Sequence, residues 1–149
     1  MQNKKFRPKL DKTFSIILIC TTALMLAATV LSVLAPVTFF ITIPLDLFVF
    51  YFLFSPLFGY VELREESLFI KFGFFIKREI PYAKIRAFSK ERKLYSDSML
   101  SLKNSLDHVN IKYNVFDVIS VSVKDNDLFI AEAEARIDAL RKKTDRTAP

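Results

Sequence analysis

Few side chains in this sequence could do chemistry, and the most constrained of them is Asp46. It is the one formal charge between residues 14 and 60. A carboxylate in so apolar a run costs a few kcal/mol if hydrocarbon surrounds it. It therefore calls for an internal hydrogen-bond partner, or for a role in moving ions or signals. The single histidine, His108, follows Asp107, and Ser101 lies just upstream. Acyl-transfer chemistry from such a set also needs a shaped pocket and an oxyanion hole. No segment points to either, and His108 falls on the expected outer face of a strand. One cysteine, Cys20, excludes an intrachain disulfide and a cysteine metal site. Two glycines, Gly59 and Gly73, cannot build a phosphate-cradling loop. No catalytic residue, metal or cofactor is expected, and the chain is read as a non-enzyme.

What remains is a basic stripe. Lys84, Arg86, Lys90 and Arg92 share one strand parity, with Phe88 between them, and Lys71, Lys77 and Arg78 lie on the neighbouring hairpin. Beside an anionic membrane each such residue contributes about 1 kcal/mol, so these residues are the candidate contact for anionic lipid or a protein partner. The alternative is a set of solvated charges that blunt an edge strand. Glu79 and Glu91 interrupt the charge and no dense basic run appears, so nucleic acid is not an expected partner.

The elements that must position these residues begin with the apolar run itself. As one helix, residues 14–60 would extend roughly 70 Å at about 1.5 Å per residue, against a hydrocarbon core about 30 Å thick. The run must cross, turn and return. Crossings are expected at 14–34 and 39–58, joined by Ala35, Pro36, Val37 and Thr38, with Pro36 breaking the helix. The run is too long for a signal-peptide core and a second follows at once, so the first is read as retained. Lys4, Lys5, Arg7, Lys9 and Lys12 precede it against Asp11, and the turn carries no charge. The positive-inside rule then puts both termini in the cytoplasm of a plasma-membrane protein that crosses twice. Ala23, Ala27, Ala28 and Ser32 either pack the hairpin against itself or form a homodimer face. Asp46 faces the level of Leu26 to Thr29, which makes Thr29 a candidate partner; alternatively Pro44 starts the helix and Asp46 sits in its first turn.

From Tyr60 the apolar pattern changes to period two, the signature of strands. Val61 and Leu63 lead into an Arg64-Glu65-Glu66 turn. Leu68, Ile70 and Phe72 share a face, Gly73 marks a hairpin, and Pro81 ends the next strand. Ile85 and Ala87 are expected to face inward on a strand from Lys84 to Arg92. A polar stretch from Tyr95 to Ser105 precedes the alternation of Val109, Ile111 and Tyr113, and then a β-rich run from Val118 to Val123. From Asp125 the period becomes helical, with Phe129, Ala133, Ile137 and Leu140 in one stripe that ends at Lys143. The division expected is 1–13 basic N-terminus, 14–59 hairpin, 60–143 folded domain and 144–149 tail.

The fold expected is a helical transmembrane hairpin followed by a mainly β split barrel closed by a C-terminal helix, a pattern that resembles membrane-anchored pleckstrin-homology (PH) modules. The wording resembles the YyaB-like bacterial PH domain family in Ile80-Pro81-Tyr82-Ala83-Lys84-Ile85, in Ser96-Asp97-Ser98-Met99-Leu100-Ser101-Leu102, in Val109-Asn110-Ile111-Lys112-Tyr113 and in residues 119–130. It departs at Val123, where the family tends to have proline. The resemblance implies a PH-like fold on the cytoplasmic face and an interaction or oligomerisation module whose partners are membrane lipid, a protein, or a second copy. Self-protection of bacteriocin producers, to which some members are linked, and an auxiliary transporter subunit using Asp46 are the alternatives.

Overall fold

The computed structural model describes residues 3–34, 36–93, 95, 98 and 101–147. A strand, β1 (Lys4–Phe6), precedes the helical hairpin of α1 (Lys12–Ser32) and α2 (Pro36–Phe54). A 3-10 turn (Ser55–Phe58) leads out of α2 into β2 (Tyr60–Leu63), β3 (Ser67–Phe72) and β4 (Ile76–Pro81). A second 3-10 turn (Tyr82–Lys84) precedes β5 (Ile85–Arg92), β6 (Ser101–Leu102), β7 (Asp107–Tyr113), β8 (Asp117–Val121) and α3 (Asn126–Thr147). The strands form two sheets, ordered β1-β2-β3-β4 and β5-β7-β8-β6.

Period-two patterning puts Leu63, Leu68, Ile70 and Ile80 of the first sheet and Val109, Ile111, Ile119 and Val121 of the second into one core. Helix α3 closes that core with Phe129 and Ala133, both sealed from solvent. Its start is capped by Asp125, whose carboxylate accepts the Leu128 amide at 3.0 Å. Its middle is tied down by buried Arg136, which donates to the carbonyls of Leu63 and Arg64 at 3.1 and 3.0 Å. Val123 bridges Pro8, and its amide donates to the Asn126 side chain at 3.0 Å. A proline there could not make that bond.

Several local expectations are corrected. The second helix begins at Pro36 rather than Phe39, because proline's fixed φ suits a first helical position. Pro44 therefore lies inside α2 and does not start it. The basic N-terminus is more than a charged flank, since residues 4–6 pair with β2. A register shift between Ile85 and Ala87 flips the parity of β5, so Ala87 faces out and Phe88 packs edge-on to Phe129 at 6.1 Å. His108 is buried rather than outward-facing. Helix α3 runs on through Thr147. The Ser96, Asp97, Met99 and Leu100 positions of the resemblance, and Ala35 of the expected turn, lie outside the described residues.

Both α1 and α2 are long and apolar enough to cross a membrane.

Candidate functional site

Asp46 meets its partner inside the hairpin. The Thr29 hydroxyl donates to the Asp46 carboxylate and also lies 3.0 Å from the Met25 carbonyl, so its one proton serves both acceptors. The α1 face toward α2 is lined by Leu18, Thr22, Met25 and Thr29 and ends in buried Ser32. Ala23, Ala27 and Ala28 face outward instead, so of the four small residues it is Ser32 that packs within the hairpin.

The chain enters and leaves the hairpin through two tight joints. On the way in, residues 7–11 are laced into the barrel: Lys9 donates its amide to Ser122, and Asp11 its amide to Asn104, at 3.0 and 2.9 Å. The Asp11 carboxylate does not cap α1; it accepts the Ser105 hydroxyl and, at 2.9 Å, the Leu106 amide. Burial alone would raise that carboxyl, but the Ser105 and Leu106 hydrogen bonds, with Lys9 and Arg92 nearby, hold it below its ordinary value. On the way out, both glycines permit close approach. A Cβ on Gly59 would lie 2.5 Å from the Lys71 carbonyl oxygen, and one on Gly73, which has φ +61°, would fall onto Ser55.

The residues of the predicted basic stripe are spread over several parts of the barrel. Lys90, on the parity of Phe88, reaches Asp127 at the start of α3 at 2.8 Å. Arg86 donates to the Val115 carbonyl at 3.3 Å, and Arg78 engages Tyr113. Lys84 is exposed as the last residue of the second 3-10 turn. Lys90 and Arg92 together line a cleft of about 490 Å³ with Lys9, Asp11, Lys12 and Asp107 at the entry to α1. Lys71 and Lys77 sit directly opposite each other across β3 and β4. Asp107 pairs with Lys9 at 3.4 Å while His108 Nδ1 faces the Leu106 carbonyl at 3.0 Å, so no Asp–His pair forms. No group of acidic, cysteine and histidine side chains that could hold a metal occurs among the described residues.

The sequence profile of the family described as Bacterial PH domain matches residues 59–136, all but the ends of the barrel and its helix. The chain belongs to that family. No curated protein and no solved structure matches it. In this bacterial PH domain the first hairpin turn, Arg64-Glu65-Glu66, is acidic, and Arg64 is held by Glu79 at 3.1 Å and by Glu62 at 3.4 Å. That turn lies at the end of β3 remote from the hairpin, about 20 Å away at roughly 3.3 Å per residue. A cleft of about 650 Å³ opens at the same remote end, between Pro81, Tyr82 and Ala83 and the Leu140 and Arg141 turn of α3. The buried Tyr82 phenol in its wall, pushed up to about 12 by burial, donates to the Arg64 carbonyl at 2.9 Å.

Sequence reading passed over one cluster. Phe74, Phe75 and Ile76 are all exposed, immediately after Gly73. A solvent-facing hairpin turn is ordinarily polar, and three apolar residues in a row at this one were the available signal.

Proposed function

We propose that the chain is a membrane-anchored interaction module. Its helical hairpin crosses the plasma membrane twice, and its PH domain, on the cytoplasmic side, offers its remote end to a protein partner. The observation that carries this reading is the pairing of β1 with β2. These strands flank the hairpin in sequence, yet Lys4, Lys5 and Phe6 are in register with Leu63, Glu62 and Val61. Segments hydrogen-bonded in one sheet lie on one side of a bilayer, which supports an even number of crossings. The charge-free turn and the basic N-terminus support the cytoplasmic side for both ends. The remote cleft and the exposed Phe116 turn support a protein partner, since large apolar groups left in water mark interaction sites. Asp46, satisfied by Thr29 within one hairpin, is assigned a structural role, and no catalysis is assigned to the domain. Within the bacterial PH domains this reading places the chain among the YyaB-like members, whose matching residues 119–130 form the corner from β8 into α3, with Val123 in place of proline.

The test uses a chain with Cys20 replaced by serine and one cysteine returned at Leu34 or at Phe116. A membrane-impermeant maleimide added to intact cells is expected to label position 34 only, and position 116 only after lysis. Labelling of position 116 from outside, or recovery of the chain in the aqueous fraction, would overturn the reading.

A further inference from the structure

The two apolar helices are not the only part of the chain shaped for lipid. The turn between β3 and β4 lies against the exit of α2. The Phe75 ring centre is 5.7 Å from that of Tyr51, and Phe74 is 6.5 Å from Tyr51 and 4.9 Å from Phe58. Tyr51 belongs to α2 itself, inside the segment long and apolar enough to cross a membrane. The turn reaches this level because Gly73 has no side chain, since a Cβ there would collide with Ser55. Phe75 nonetheless keeps 80% of its surface free and Phe74 52%.

Charge fits the same surroundings. Just behind the turn, Lys71 and Lys77 are cross-strand neighbours. Like charges placed directly opposite destabilise a strand pair in water. Neither lysine has a carboxylate partner among the described residues; Lys71 has only the Tyr60 ring, 5.9 Å away. Anionic headgroups would relieve that repulsion while the aliphatic stems lie along the apolar layer. Aromatic rings at the boundary with lysines just above them form the ordinary pattern of a membrane interface.

We propose that the β3–β4 turn is a third membrane contact, with Phe74 and Phe75 seated in the bilayer interface and Lys71 and Lys77 among its anionic headgroups. The proposal rests on the membrane-anchored reading of the hairpin. It gives the barrel one fixed orientation, with the Glu65-Glu66 turn and Phe116 directed away from the bilayer.

The chain contains no tryptophan, so one introduced tryptophan reports one place. Full-length Phe75→Trp, Phe52→Trp and Phe116→Trp chains are reconstituted in vesicles of phosphatidylethanolamine and phosphatidylglycerol, with and without lipids brominated high on the acyl chain. Position 75 is expected to emit at short wavelength, to lose most of its emission to bromine and to resist acrylamide. Position 116 is expected to behave in the opposite way, as a water-exposed control. Bromine quenching at 52 without quenching at 75 would overturn the third contact and leave the anchored hairpin standing. Quenching at neither would remove both. Short-wavelength emission at 75 without quenching would mean that protein covers the turn, which also overturns the proposal. Phe74→Trp repeats the measurement should Phe75→Trp fail to fold. Charge reversal of Lys71 and Lys77 to glutamate is expected to shift emission at 75 toward longer wavelength in the anionic vesicles, and no shift would refute the headgroup contact.

Discussion

Phe129 of α3 is sealed from solvent, whereas Phe40, Phe48 and Phe52 of α2 turn outward with more than half of their surface free. The same residue type does opposite things in two parts of one chain. In the barrel, phenylalanine is driven inward by water, and the sheets gather around Phe129, Leu68 and Ile111. In the hairpin a polar cluster turns inward, where Thr29 meets Asp46 and Ser32 bonds to the Thr29 carbonyl at 2.7 Å, while large apolar groups such as Leu24, Leu31, Phe40 and Phe48 turn out. An inside-out pattern of this kind is stable where the surroundings are themselves apolar. Hydrophobic burial thus holds the barrel together, while the hairpin depends on what lies outside it.

The contrast can be broken most forcefully from the barrel side. Phe129→Ala removes a fully buried ring that touches Phe6 and Phe88. It is expected to cost about 3–5 kcal/mol, a large share of the roughly 5–15 kcal/mol available to a domain, and to appear as early denaturant unfolding of the barrel in detergent. The complementary change, Phe48→Arg on the outward face of α2, is expected to cost about 3 kcal/mol of insertion free energy and to lower the membrane-integrated fraction in an insertion assay. In water the same change would cost almost nothing, so an unaffected insertion would end the contrast.

Gly73→Ala tests the joint between the two regions. The left-handed backbone alone is worth about 1–2 kcal/mol, and the added methyl meets Ser55. Combining it with Ser55→Gly is expected to restore part of the loss in thermal melting, because that removes the collision but not the strained backbone. Thr29→Val should cost less, about 0.6 kcal/mol in hairpin stability. Asp46→Asn, which keeps an acceptor, should leave folding and membrane integration close to those of the parent. A large functional loss in Asp46→Asn with intact folding would favour a transport role.

The smallest effect is expected from acid. The folded Asp11 carboxyl lies below its ordinary value of 3.8, so the unfolded chain takes up the proton first. The contribution is complete above 3.8 and drains away as pH falls through the folded value. Hydrogen exchange at the Leu106 amide, which donates to Asp11, should quicken over that window, and Asp11→Asn should flatten the dependence.

The hairpin was legible because only one charge interrupts residues 14–60, and α3 because Phe129, Ala133 and Ile137 repeat at helical spacing and are all buried. β1 was not legible. Two of its three residues are lysines, and its partners lie beyond the hairpin, so no local pattern records the pairing. β6 is two residues long and falls within a polar stretch. One irregularity in β5 was not legible either. The shift between Ile85 and Ala87 reverses which side chains of β5 face the core, so counting by twos from Lys84 does not carry past it, and Ala87 faces out. His108 was misplaced because β7 is a central strand whose second face is also covered, and alternation alone does not register a second cover.

The first strand has a consequence for the order of assembly. Residues 4–6 leave the ribosome well before their neighbours at 61–63 exist. The interval is filled by a segment that must itself find its final surroundings. Closing so long a loop costs entropy that no contact near in sequence can offset. Completion of the barrel is therefore expected to wait on the hairpin. A chain whose hairpin is misrouted would leave β1 stranded and the edge of β2 open, a form that cellular proteolysis can tell apart from the finished molecule.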